Sequence, residues 1–515
     1  MAFGAQPVRT WPGLAAAALV AAVMLAALVA VALRAETGAG LGAQDWSAIR
    51  FTVLQAALSA LFSVALAIPV ARALARRSFP GRGLLITLLG APFILPVIVA
   101  VLGLLTVFGR GGWLNALLGL AGLPPVSIYG LHGVVLAHVF FNLPLATRLI
   151  LQGWQEIPAE RFRLAAQLGA GPREIWRLLE RPMLARTAPG VAALIFAICL
   201  TSFAVALTLG GGPKATTIEL AIYQAFRFDF DLGRSALLAL VQIVLTLAAA
   251  TLALGVSARG GFGAGLDRVV QRWDARTPGL RALDAGLILA AALFLLAPLA
   301  AIAAAGLPGL LHLPEQVYMA CLVSVFVAAV STILLLCLAL PIALAAARMP
   351  LVEQAGLLGL AVSPLVLGAG LFLLINPVAS PFALALPVTA LVNALMALPF
   401  ALRILTPKAR EEVDRHARLA ATLNMGAWGF FRLVLLPRMR PQIGFAAGLA
   451  AALSMGDLGV IALFADPETA TLPLQIYRLM AAYRMEAASG AALLLLILSV
   501  TAFWLCDRGG RHAAP

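Results

Sequence analysis

RLAAQLGAGPREIWRLLERP, from Arg163 to Pro182, returns 255 residues later as RLAATLNMGAWGFFRLVLLP, from Arg418 to Pro437. Nine of the twenty positions are identical, among them Leu168/Leu423, Gly171/Gly426 and Pro182/Pro437. In the first copy a predicted helix through Arg163, Leu164, Ala165, Ala166 and Leu168 meets Gly169. Glycine tolerates the left-handed geometry that ends a helix, and Pro172 suits the first turn of the next one. In the second copy Arg418, Leu419, Ala420, Ala421 and Leu423 lead to Asn424, and asparagine is the next most tolerant residue for that conformation. Each copy therefore reads as a helix–turn–helix. The alanine pairs allow close approach by another helix. Beyond the turn, Ile175, Trp176 and Leu179, or Phe430, Phe431 and Val434, supply large apolar knobs fit for a partner's groove. One copy alone would also suit an amphipathic helix lying in a membrane interface. Two copies with the same turn and the same terminal proline favour docking.

The rest of the chain explains why such polar-flanked elements stand out. Of 515 residues, 62% are hydrophobic and 11% charged, against about 25% charged in soluble domains. That composition is that of an all-α polytopic membrane protein. The formal charge of +14 does not point to nucleic acid, because basic residues gather in cytoplasmic loops of membrane proteins and set their topology. Cys199, Cys321, Cys337 and Cys506 lie in or beside apolar runs without CxxC spacing. They read as packing residues rather than a disulfide framework or a metal site.

Twelve apolar runs reach the ~20 residues needed to cross a bilayer. They lie near 13–33, 51–71, 83–108, 130–152, 187–210, 232–256, 283–306, 316–346, 351–376, 382–406, 441–464 and 487–506. The first is too long for the core of a secretory signal and reads as a retained helix. Arginines cluster at 72–82, 161–186, 259–281 and, with Lys408, at 408–440. The intervening loops carry Glu36, Asp45, Glu219, Asp229, Asp231, Asp466, Glu468 and Glu486. Every basic loop falls on one side if both termini are cytoplasmic.

The repeat extends beyond the quoted stretch. Leu143, Pro144 and Arg148 match Leu398, Pro399 and Arg403 at a spacing of 255; Pro213, Thr217, Leu220, Ile222 and Tyr223 match Pro467, Thr471, Leu474, Ile476 and Tyr477 at 254. The expected organisation is two parallel six-helix repeats, residues 1–256 and 283–515, joined by a Gly- and Arg-rich linker at 257–282. The docking loops occupy 158–186 and 408–440. Parallel repeats of this kind imply a pseudo-two-fold axis along the membrane normal with a pathway at the interface.

Ionisable groups within membrane segments are functional candidates because their burial is costly. Asp457, between Gly456 and Gly459 in the eleventh predicted helix, is the foremost. Its alternative is a structural role at a turn. At a spacing of 254 its counterpart is Phe203, an aromatic–acid pair suited to a ring that carries positive charge. Tyr223 and Tyr477 occupy matched positions and read either as pathway residues or as interfacial belt tyrosines. Glu219, Asp229 and Asp231 are expected on the outward face. His132, His138 and His416 have no ligand partner at a useful spacing and are assigned nothing.

The quoted stretches resemble the cytoplasmic loop of binding-protein-dependent ABC importer permeases, with its Glu-Ala-Ala, a glycine four residues after the second alanine and a later hydrophobic-Pro. Here Arg163 and Arg418 stand at the Glu position, Leu164 and Leu419 at the first Ala, and Asn424 at the second copy's glycine. Three further runs are similar to the thiamine transport permeases: Ser202–Phe226 (SFAVALTLGGGPKATTIELAIYQAF) with DFD at 229–231, LAAQLG at 164–169, and SMGDLGVIALF at 454–464. The resemblance covers most of both halves; the ferric-iron permeases share the layout. It implies the type I importer permease fold in a bacterial inner membrane. It also implies coupling helices seated in two copies of a separate ATPase, and a periplasmic solute-binding protein that delivers thiamine, thiamine pyrophosphate or another small solute. ATP and magnesium would be bound by the ATPase. This chain carries no GxxxxGK[ST] loop, since its only lysines, Lys214 and Lys408, each follow a proline. The competing readings are a twelve-helix secondary transporter and a non-transporting membrane scaffold or enzyme. The first is disfavoured by the paired loops and by the absence of an acidic residue at 72–82; the second has no catalytic constellation behind it.

Overall fold

A computed structural model describes all residues except 1–7, 37, 39, 90–93, 213–214, 257–271, 275–276, 361, 465–469 and 512–515. The described residues form helices and turns without strand, as hydrocarbon demands of a spanning segment that must pair its own backbone groups. Eleven helices among them are long and apolar enough to cross a membrane. The principal helices of the N-terminal part are α1 (Trp11–Arg34), α2 (Ala43–Arg76), α3 (Val97–Phe108), α4 (Leu131–Gln155), α5 (Ala159–Gln167), α6 (Arg181–Leu200), α7 (Ala204–Leu209), α8 (Ile218–Arg227) and α9 (Leu232–Val256). Those of the C-terminal part are α10 (Pro278–Gly309), α11 (Glu315–Ala346), α12 (Pro364–Ile375), α13 (Ala385–Thr422), α14 (Leu436–Met455), α15 (Gly459–Phe464), α16 (Leu472–Ala481) and α17 (Met485–Arg511).

Matched helices pack in matched ways. α2 lies against α4 and α6 as α11 lies against α13 and α14, while α6 meets α9 as α14 meets α17. The first helix of each part crosses to the other. α1 packs on α11 and α12, and α10 packs on α2 and α3. Glycines make both crossings close. A methyl at Gly103 would come 2.5 Å from the Pro298 carbonyl oxygen, and one at Gly370 would come 2.8 Å from the Ala27 carbonyl carbon.

Four of the expected spans are broken. The 83–108 run divides into Arg82–Leu88 and α3, which opens after Pro96; the 351–376 run divides into Val352–Leu357, Leu358–Leu360 and α12, which opens at Pro364. A residue before proline is turned away from helical geometry, and Ser363 there is extended at ψ 152°. The 187–210 and 441–464 runs break at 201–203 and 456–458, between α6 and α7 and between α14 and α15. Hydropathy alone joins such pieces because both sides of each break are apolar. Of the 257–282 linker, only 272–274 and 277–282 belong to the described residues; Pro213, Lys214, Arg259, Arg268, Arg276, Asp466, Pro467 and Glu468 lie outside them.

Candidate functional site

The two repeated elements have the same backbone. In the first, Ala170 N–H donates to the Ala165 carbonyl at 2.9 Å and Gly169 N–H to that of Ala166 at 3.1 Å; in the second, Met425 donates to Ala420 at 2.9 Å and Asn424 to Ala421 at 3.1 Å. This paired closure is the Schellman motif, which satisfies the last carbonyls of a helix and needs a left-handed residue after it. Gly169 (φ 71°) and Asn424 (φ 47°) supply that residue. Gly171 and Gly426 then start the next turn in extended geometry, and a π-helical turn follows in each copy, at Trp176–Glu180 and Phe431–Leu435. Pro182 and Pro437 fall in the first turn of α6 and α14, the helices that carry each element onward.

The exposed leucines are also matched, Leu164, Leu168 (76% exposed) and Leu178 by Leu419, Leu423 (63%) and Leu433, and each element exposes a tryptophan, Trp176 and Trp428, at positions that are not equivalent. Arg163 and Arg418 are exposed beside them, Phe431 is half-buried, and Ala165, Ala166 and Ala421 are partly or fully accessible while Ala420 is buried. Two expected knobs turn inward. Ile175 is 4% exposed and Phe430 is fully buried, because each sits on the inner side of a one-turn helix and roots the element in the chain's own core. Trp428, which was not among the expected knobs, stands in their place and packs its ring 5.6 Å from Phe431.

The first element is fastened where the second is not. Glu180, wholly buried, receives Arg72 at 2.6 Å, Arg272 at 3.0 Å and the Trp154 indole N–H at 3.1 Å. Arg272, from the linker, also lies 4.5 Å over the Phe162 ring and forks onto Asp274 through Nε and Nη2 at 2.8 and 2.7 Å. Burial works against the Asp274 carboxylate, and Arg272 beside it more than compensates, holding it below the ordinary range. Beyond the linker, Asp284 of α10 binds Arg76 and Arg77, each at 2.7 Å. The residue matching Glu180 in the second element is Leu435, buried in apolar contacts.

The broken helices form the other candidate region. α6 and α14 end at 200 and 455, and α7 and α15 start at 204 and 459. The spacing is still 255 there, so the structural counterpart of Asp457 is Ser202, not Phe203, which matches Leu458. Asp457 lies in the break rather than inside a helix. Its Oδ1 accepts from the Gly459 N–H at 3.2 Å, and its Oδ2 is buried without a hydrogen-bonding partner. A methyl at Gly459 would come 3.7 Å from Phe203 Cδ1 and 3.8 Å from Asp457 Oδ1. The ring of the first part and the acid of the second therefore meet at one point. Phe203 packs edge-on to Tyr223 at 5.2 Å, and Tyr477 is half-buried. Tyr223 is buried, which sets aside the belt reading for it. Glu219 is likewise buried rather than on an outward surface, whereas Asp229 is exposed and pairs with Arg234 at 3.6 Å.

Behind each break sits a buried polar group on matched positions. His138, 4% exposed, bridges Ser59 (3.2 Å at Nδ1) and Ser202 (2.7 Å at Nε2). Its counterpart Asn393 donates to Ser454 at 3.0 Å, and Ser454 donates to Ser331 at 3.0 Å. Gln55 and Gln242 cover the Cys199 and Leu200 carbonyls freed where α6 stops, as a break in a membrane helix requires.

No protein-family model matches the chain. Curated relatives do, over nearly its whole length. The thiamine transport system permease protein ThiP of Salmonella typhimurium is 41% identical over 98% of this chain and 97% of its own. Its namesakes from Escherichia coli and Haemophilus influenzae are 40% and 34% identical, over 96% and 87% of this chain and 96% and 86% of their own. The chain belongs to the thiamine transport system permeases. As a member of that family it is a multi-pass transport permease subunit, and the readings as a secondary transporter or a scaffold fall away. In this permease, sequence reasoning missed His138, Ser202, Glu180 and Arg272. The partners of His138 are 79 and 64 residues away, and Arg272 and Glu180 are 92 apart, so no local spacing signals them.

Proposed function

We propose that this permease is the transmembrane subunit of an ATP-driven importer that takes thiamine or its phosphates from a periplasmic binding protein into the cytoplasm. The two halves are residues 1–256 and 283–515, the membrane is the bacterial inner membrane, and both termini are cytoplasmic. The observation that carries the reading is the pair of Schellman-closed elements presenting the same exposed leucines 255 residues apart. Two matched levers suit two copies of one ATPase. ATP and magnesium bind in that partner, and its closure pushes the elements at Arg163–Pro182 and Arg418–Pro437. Because α6 and α14 continue directly from the levers to the breaks at Ser202 and Asp457, the push reaches the solute pathway through rigid helices. There Asp457 meets the positive charge of a thiazolium, and Phe203, Tyr223 and Tyr477 meet its ring face. The name shared by the relatives supplies the solute.

Vesicles containing the permease, a co-expressed ATPase and the binding protein test this reading. Uptake of radiolabelled thiamine that needs ATP and all three components is expected. Uptake driven by an ion gradient without the ATPase, or ATP-driven uptake of ferric iron in place of thiamine, overturns it.

A further inference from the structure

We infer that Ser202, held by His138, is the hydrogen-bonding half of the solute site, facing the uncharged polar part of the ligand while Asp457 faces its charge. The inference rests on the pathway reading above and adds two residues to it. Ser202 and Asp457 occupy equivalent positions in the two breaks, 255 residues apart, and both are partly exposed amid buried neighbours such as Phe203 and Leu458. Each uses one atom to hold itself in place. Asp457 spends Oδ1 on the Gly459 N–H and leaves Oδ2 buried without a hydrogen-bonding partner. Ser202 meets His138 Nε2 at 2.7 Å, and a hydroxyl so engaged keeps a second hydrogen-bonding capacity.

His138 decides what that capacity is. With the proton on Nε2, the imidazole donates to Ser202 Oγ and leaves the serine O–H for a ligand acceptor. With the proton on Nδ1, Nε2 accepts from the serine and leaves its lone pairs for a ligand donor. Ser59 at Nδ1 suits both states, because a hydroxyl donates or accepts. Asn142 fixes the helix carbonyl above the ring, its Nδ2 reaching His138 O at 2.8 Å. In the second half the matched position is Asn393, which is tied to Ser454, two residues before the break, and through it to Ser331 of α11. Among the described residues, only the first half thus carries a hydrogen-bond relay to the break itself, and only the second half carries a carboxylate there. A ligand with a cationic ring at one end and a neutral nitrogen heterocycle bearing ring acceptors and an amino donor at the other fits such a divided site. Thiamine has that chemistry.

Direct binding of radiolabelled thiamine to the assembled permease–ATPase complex, in the absence of the binding protein, reads the site. Beside it stands an analogue whose pyrimidine amino group is replaced by oxo. Ser202→Ala and His138→Asn are each expected to weaken thiamine binding about five- to tenfold, the size of one neutral hydrogen bond. They are also expected to erase the preference for thiamine over the oxo analogue. The double variant is expected to be no weaker than either single one, since the residues act as a unit. Ser202→Thr, which keeps the hydroxyl, restores the preference, and loss of packing alone would not follow that pattern. Wild-type binding and preference in Ser202→Ala and Ser202→Thr alike overturn the inference while leaving the importer reading in place; a wild-type complex that imports no thiamine overturns that reading first.

Discussion

Asp457 divides its carboxylate between two tasks, and the division predicts how it fails. Oδ1 holds the Gly459 N–H at the start of α15, whereas Oδ2 has no protein partner. Asn keeps an oxygen for the first task and removes the charge needed for the second. Asp457→Asn is therefore expected to leave assembly and melting unchanged and to lower thiamine uptake at least tenfold, measured in vesicles at saturating ATP. Asp457→Ala also leaves the Gly459 N–H unpaired, and an unmet buried group adds about 1–3 kcal/mol of destabilisation. Uptake by Asp457→Asn at the wild-type rate would remove the acid from the pathway. Asp457 stood out in the sequence because an acid in an apolar run is costly. Its place in a break was not, because six-residue helices such as α7 and α15 merge into their neighbours under any hydropathy window. Ser202 and His138 did not stand out for a different reason: what links them is a long-range contact.

At the scale of the element, the paired turns were the most legible feature. Gly169 and Asn424 announce a left-handed residue by composition alone, and both adopt it. Which apolar side chains face outward was less so, since Ile175 and Phe430 follow the turn as closely as Trp176 and Trp428 do. Burial assigns the inner pair to anchoring and leaves Leu168 and Leu423 as the apices. Leu168→Glu together with Leu423→Glu is expected to abolish co-purification of an ATPase while leaving the detergent melting temperature within about 2 °C, because exposed substitutions away from special features are near neutral. The two elements are nevertheless unequal. Glu180 binds two arginines and an indole in full burial, and losing one partner of such a cluster costs about 3–5 kcal/mol. Glu180→Gln should therefore lower the melting temperature clearly, whereas Leu435→Met at the matched apolar site should shift it little. Equal shifts in the two variants would remove the linker from the account of the first lever.

The whole molecule is held together by exchange. α1 leans on the second half and α10 on the first, so neither half can rock without sliding along the other's first helix. The sliding surfaces are made of glycine and main chain: Gly103 faces the Pro298 carbonyl and Gly370 faces Ala27. Main chain cannot step aside as a flexible side chain can. A single methyl at either glycine must push a crossing helix outward, at about 1–3 kcal/mol for overpacking of this kind. Gly286, on α10 but with nothing within 4 Å of an added methyl, is the matched control, where alanine in a helix is neutral or mildly stabilising. Gly103→Ala and Gly370→Ala are expected to lower the melting temperature of the detergent-purified protein, and their effects should add, because they lie in separate seams. On the proposed mechanism transport should fall further than stability does, since rocking of the two parts would use the seams at every cycle. A Gly286→Ala variant that melts and transports as poorly as the other two would mean that helix propensity, not the exchange of first helices between halves, governs the response.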